Sequence, residues 1–294
     1  MIALIIILPF LVGILWFVIS FFGGRDSIDV DGTERFYHIH VPSSYDEDQP
    51  MPLLLMFHMR MGNAWLMQEI TQFNQLADEE RFIVVYPDGY QRSWADGSQR
   101  YESDKAGIDD VAFTQALLAE LSAQYAIDEK QLFVTGFSNG GFLTHRLGCE
   151  LSEQIAGIAT VSGVMAENVL QTCEATQPLP VMMIHGSGDK DIAWEGKPPE
   201  LASVPATIEK WVALNGCDPD PTIEHLDPAA DATFLVRETY DCPEGAQVVF
   251  YTIVDGGHRW PGAGNQWQYW LSGNLSQDID ASEEVWTFFS EIGE

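Results

Sequence analysis

Basic side chains are scarce in this 294-residue chain, where Lys and Arg number 14 against 44 Asp and Glu, for a formal net charge of -30. A surface of that sign repels nucleic acid and anionic headgroups, which argues against polyanion binding. Self-repulsion on this scale destabilises a compact state unless salt screens it, so the composition points to a saline habitat, with a melting temperature that climbs as sodium chloride is raised. A merely solvated acidic surface is the alternative. The chain also lacks internal repeats and long Gly/Ser or Pro linkers, which excludes an array and leaves one folded body. None of its four cysteines, Cys149, Cys173, Cys217 and Cys242, forms a C-x-x-C pair, which argues against a zinc or redox motif. Three disulfide connectivities are open. We favour Cys149 with Cys173 and Cys217 with Cys242, since each closes a moderate loop, with four reduced core cysteines as the alternative.

Charge is absent altogether from Met1 to Phe22. At about 1.5 Å rise per residue such a run spans the roughly 30 Å apolar thickness of a bilayer. Neither a basic leading segment nor a small-x-small cleavage site is evident, which favours an uncleaved membrane anchor over a cleaved signal. Residues 1–24 are therefore read as an anchor or signal segment and 25–294 as the folded domain. Disulfides behind an export segment place that domain in an oxidising compartment, periplasmic or extracellular.

Beyond the anchor, Arg35 to Val41 alternates like an edge strand. Leu53 to Phe57 and Phe82 to Tyr86 are continuous apolar runs of the kind found in buried parallel strands. Further strands are expected at Leu132–Thr135, Ile155–Val161, Val181–Ile184 and Val248–Val254. Helical spacing runs from Trp65 to Asp78 and from Asp109 to Tyr125, with more helices near Phe142–Leu151, Ala206–Leu214 and Ser282–Ile292. This alternation predicts an α/β fold, a mostly parallel central sheet with helices on both faces. Functional residues then belong in loops past the carboxyl ends of the strands.

One such loop is Gly136-Phe137-Ser138-Asn139-Gly140-Gly141, between a strand and a helix. The G-x-S-x-G pattern is that of a nucleophile elbow, whose sharp turn lifts a serine hydroxyl toward a base while its glycines permit close strand–helix approach. Two other strand ends carry Asp189 and His258. The chain order Ser138, Asp189, His258 matches an α/β-hydrolase triad, in which the imidazole moves the serine proton and the carboxylate fixes the tautomer. No metal or cofactor is called for. Asp191 is the rival carboxylate. Asp109 and Asp110 read as helix-start residues, and His58 and His185 as strand-end residues bonded to backbone.

These motifs resemble the polyhydroxybutyrate depolymerase and feruloyl esterase branch of secreted α/β-hydrolases. The resemblance runs from about Glu34 onward and is carried by Tyr86-Pro87-Asp88-Gly89, Ile108 to Phe113, the elbow, His185 to Asp189, Gly257 to Gly262 and Gln277 to Ser282. It implies carboxylic-ester hydrolysis through an acyl-serine, export, and disulfides near Cys149 and Cys217. One segment departs from the pattern: where a His-Gly pair opens a glycine-rich loop in such proteins, this chain has His58-Met59-Arg60-Met61-Gly62-Asn63. That loop and Asn139 are expected to supply the two oxyanion-hole N–H groups, the first from Met59.

Trp94, Trp194, Trp260, Trp267, Tyr269 and Trp270 fall in expected loops and could line an aromatic or sugar-binding cleft, Trp260 and Trp94 foremost. The expected partner is an ester, possibly polymeric: feruloyl or acetyl polysaccharide esters, or short hydroxyalkanoate esters. The alternative is a non-catalytic surface binding protein in which the altered His58–Asn63 loop has disabled the oxyanion hole. Amide hydrolysis by the same triad is a weaker third reading.

Overall fold

The computed structural model describes residues 25–229, 231–243, 245–264 and 272–293. The proposed anchor, residues 1–24, and the aromatic residues Trp267, Tyr269 and Trp270 lie outside that range. Among the described residues no helix is long and apolar enough to cross a membrane.

Ten strands form one sheet: β1 (Asp26–Val30), β2 (Thr33–His40), β3 (Met51–Phe57), β4 (Ile83–Pro87), β5 (Ile127–Phe137), β6 (Gly157–Val161), β7 (Val181–Gly186), β8 (Thr222–Leu226), β9 (Phe234–Tyr240) and β10 (Val248–Val254). Their spatial order is β1-β2-β4-β3-β5-β6-β7-β10-β9-β8. The six strands from β4 to β10 in that order are mutually parallel, and an antiparallel pair flanks them on each side.

The parallel strands are apolar throughout because both faces are covered. Along β3, Leu53, Leu55 and Phe57 enter one core layer and Leu54 and Met56 the other, as a side-chain period of two requires. Helices α4 (Asp110–Gln124), α5 (Asn139–Glu150) and α7 (Val204–Leu214) cover the first face. Helices α1 (Ala64–Thr71), α2 (Phe73–Glu80) and α8 (Ala281–Ser290) cover the second. Short helices α3 (Glu102–Lys105) and α6 (Glu167–Thr172) complete the set described.

Three expectations need correction. The Arg35–Val41 strand is not an edge. It corresponds to β2, which lies between β4 and β1, the latter joined to it by Asp31-Gly32 with both φ angles positive (52° and 79°), the geometry of a tight primed hairpin turn. The helix expected over Trp65–Asp78 is two helices, because Gln72 takes a left-handed conformation (φ 54°) that ends α1 and begins α2. The break turns Phe73 into the core, edge-on to Phe82 and Trp260. Finally, β1, β8 and β9 were not anticipated. Both disulfides have the favoured connectivity, Cys149–Cys173 and Cys217–Cys242.

Candidate active site

The elbow sits where β5 ends and α5 begins. Ser138 has φ 56° and ψ -119°, a backbone state that costs a non-glycine residue about 1–3 kcal/mol and persists only where its surroundings over-determine it. Those surroundings are close backbone contacts. A Cβ built on Gly136 would lie 2.3 Å from Gly140 O, and one on Gly140 would lie 2.2 Å from Phe57 O and 2.7 Å from His58 O. Helix α5 is thereby pressed against the ends of β5 and β3, and the Ser138 N–H donates to Val161 O on β6 at 3.0 Å.

Asp189 and His258 come from the loops after β7 and β10. The loops interlock: Ser187 N–H donates to Ile253 O, Gly188 N–H to Gly256 O and Asp255 N–H to Ser187 Oγ, each at 2.9 Å. A Cβ on Gly186 would lie 2.3 Å from Gly256 O, so only glycine fits where they touch. The His258 Nδ1 and Asp189 Oδ2 atoms are 2.7 Å apart. The other carboxylate oxygen accepts the N–H groups of Asp191 (2.9 Å) and Ile192 (2.8 Å). Burial alone would raise the Asp189 pKa. The hydrogen bond and charge of His258, then His185 and the Ile192 N–H, override it and hold the carboxyl below its ordinary range. Asp189 is therefore ionised at neutral pH, bonded to the ring that a triad would require.

The rival, Asp191, gives its backbone to Asp189 and its exposed carboxylate stands nearby. Asp189, Asp191 and His258 each offer a ligand atom within 4.8 Å of the others, but both Asp189 oxygens are already engaged by the bonds above. The His258 ring stacks on Phe137, the residue before the nucleophile, at 5.0 Å between centroids and 23° between planes. Imidazole and elbow are thus brought side by side. Among the described residues, Ser138 Oγ makes no hydrogen bond to the ring. Such bonds are commonly long in a free enzyme and tighten with substrate present.

Asn139 opens α5, so its backbone N–H has no acceptor within the helix. The Met59 loop lies against the elbow through the Gly140 contact. Its geometry is set by His58, whose Nδ1 pairs with Met59 O at 2.7 Å and whose Nε2 accepts the Gly89 N–H at 2.9 Å. Burial is the main cause holding the His58 pKa down to about 4, so the ring is a neutral clamp between two loops. His185 is likewise buried at a strand end, with Nε2 2.9 Å from Ile192 O. Asp109 is the α4 N-cap, and Asp110 is buried against Arg35 at 2.6 Å.

Two expected substrate contacts are overturned. Trp94 and Trp260 are both 0 % exposed and present no face to a ligand. The indole N–H of Trp94 donates to His58 O at 2.7 Å, and that of Trp260 to Ser282 Oγ at 3.0 Å. Both are packed beneath the site. The residue that sequence reasoning passed over is Asp96, whose Oδ2 accepts from Asn139 Nδ2 at 2.5 Å. Its one signal in the sequence is its place two residues after the loop tryptophan Trp94, which is too weak to single it out.

With this geometry established, residues 36–198 match the family model described as Esterase PHB depolymerase. The chain belongs to that family. The match covers more than half the chain and includes Ser138 and Asp189, with His258 beyond it. Feruloyl esterase B of Piromyces equi is 27% identical over 235 residues, covering 75% of this chain and 42% of that protein. Feruloyl esterase D of Neurospora crassa is 25% identical over 285 residues, covering 92% of this chain and 86% of its own length. Among solved structures, an acetyl xylan esterase from Aspergillus awamori superposes with a TM-score of 0.65 at 17% identity, over 91% of this chain and 99% of that one. At that identity the likeness is one of fold.

Proposed function

We propose that this family member is a serine carboxylic-ester hydrolase that works through an acyl-enzyme, acting on feruloyl or acetyl esters of polysaccharide or on short hydroxyalkanoate esters. The observation that carries the reading is the 2.7 Å Asp189–His258 pair stacked through its ring on Phe137, next to the strained Ser138 turn. Asp189 accepts the Nδ1 proton of His258, which leaves Nε2 as the base. The base takes the Ser138 proton as Oγ bonds to the ester carbonyl carbon. The carbonyl electron pair moves onto oxygen, where the Asn139 and Met59 N–H groups stabilise it. Collapse expels the alcohol, which receives the proton from His258. Water, deprotonated by the same ring, then attacks the acyl-serine; the acyl–Oγ bond breaks, the ring returns the proton to Ser138 Oγ, and the acid is released.

The substrate class follows from the family and from relatives named for feruloyl and acetylxylan esters. Export is supported by the two disulfides, and the apolar run Met1–Phe22 is read as an anchor, which fractionation of the full chain tests. For the chemistry, Ser138→Ala is assayed on p-nitrophenyl acetate and methyl ferulate, with fluorophosphonate labelling alongside. The expected loss in kcat is about 10⁴- to 10⁶-fold, with labelling abolished. Undiminished turnover rules the mechanism out.

A further inference from the structure

The segment Trp94–Asp96 is buried (0 %, 1 % and 0 % exposed) and takes no part in the steps above, yet its polar atoms lead to both oxyanion donors. The indole N–H of Trp94 holds the His58 carbonyl at 2.7 Å. In a trans peptide the C=O and N–H point in opposite directions, so that bond also fixes which way the Met59 N–H faces. On the second donor, Trp94 N–H donates to Asn139 Oδ1 at 2.9 Å, and Asn139 Nδ2 donates to Trp94 O at 3.3 Å and to Asp96 Oδ2 at 2.5 Å. The Asn139 side chain is thus held on both sides of its amide. Any non-proline residue could supply a backbone N–H after the nucleophile; an asparagine there also anchors it.

The segment is itself immobilised. Ala95 N–H donates to Asp110 Oδ2 at 2.6 Å, Arg146 Nη1 donates to Ala95 O at 2.8 Å, and Asp110 pairs with Arg35. Asp96 is an expensive residue to keep there: burial first, then the charge of Asp104, push its pKa up to about 7. Its Oδ1 accepts the Ser98 N–H at 2.7 Å, which leaves Oδ2 for the Asn139 amide.

We infer that Trp94 and Asp96 are positioning residues, each aiming one oxyanion donor: Trp94 the Met59 N–H through the His58 carbonyl, Asp96 the Asn139 N–H through the Asn139 amide. This rests on the serine-esterase reading. Trp94→Phe removes the indole N–H but keeps a ring against Phe57, while Asp96→Ala removes the acceptor and Asp96→Asn keeps an oxygen for the Asn139 amide. The test measures kcat and KM on p-nitrophenyl acetate with the full chain, per site titrated by a fluorophosphonate, so that unfolded molecules do not count.

For Trp94→Phe and Asp96→Ala the expected result is a kcat about ten- to a hundredfold lower with KM within about threefold, since misaimed donors cost less than absent ones. Asp96→Asn is expected to recover most of the loss. Should Asp96→Ala yield no titratable protein, Asp96→Ser replaces it. Variants with kcat within about twofold of an active parent, or an Asp96→Asn as impaired as Asp96→Ala, overturn the inference while leaving the serine-esterase reading intact. A parent chain that neither labels nor turns over overturns both.

Discussion

The two halves of the site are held by different means. On one side Asp189 and His258 meet through a direct side-chain hydrogen bond, delivered by loops that interlock through backbone hydrogen bonds and a close approach at Gly186 and Gly256. On the other, the Met59 and Asn139 N–H groups we propose as oxyanion donors are backed by Trp94, Asp96 and His58, which bond to the neighbouring carbonyls and the Asn139 amide. Chemistry that demands particular side chains leaves a readable pattern of residue types. Chemistry done by backbone N–H groups does not, because almost any residue has one, and its support sits in side chains remote in sequence.

The sharpest way to break the contrast lies on the first side. Asp189→Asn puts a donor where the ring needs an acceptor, and kcat is expected to fall by about 10³- to 10⁴-fold, while Asp191→Asn stays within about threefold of the parent. Comparable losses in the two variants would mean that Asp191 shares the role. The oxyanion side answers with the smaller effects set out for Trp94 and Asp96.

Smaller still, and opposite in sign between the halves, are the pH dependences of stability. Asp189 has a depressed pKa, so its contribution is present above the ordinary carboxylate value and is lost as pH falls through the folded one. Asp96 has a raised pKa of about 7: the folded chain keeps a proton that the unfolded chain gives up, so stability is lost as pH rises from the ordinary value toward 7. Asp96→Asn should therefore gain on the parent by on the order of 2 kcal/mol in unfolding free energy between pH 5 and pH 8. Urea titrations at fixed ionic strength at the two pH values measure it. A constant difference would contradict a neutral Asp96 in the folded protein at the lower pH.

The central strands were legible because burial on both faces leaves no polar residue in runs such as Leu53–Phe57 and Val181–Ile184. Ser138, Asp189 and His258 stood out as candidates because each follows the end of a strand, and the structure places them there. The antiparallel margins were harder. The residues of β8 are all exposed, so Thr222–Leu226 carries no apolar pattern, although Asp31-Gly32 did hold a hairpin signal before β2. The break at Gln72 interrupts a sequence whose apolar spacing continues across it. Trp94 and Trp260 were misread because an indole joins an apolar ring to one donor, which suits a ligand cleft and a buried carbonyl or hydroxyl equally well. Only the packing distinguishes them.

The contacts at Gly136, Gly140 and Gly186 carry a consequence for how this centre can diversify. No methyl group fits at any of these positions without displacing main chain, so the reacting apparatus cannot be retuned one loop at a time. Freedom to vary is left to exposed residues of the segment that follows His58 and Met59, such as Met61 and Trp65, which are more than half exposed. New ester preferences in this lineage should be written in such exposed positions, over an unaltered floor.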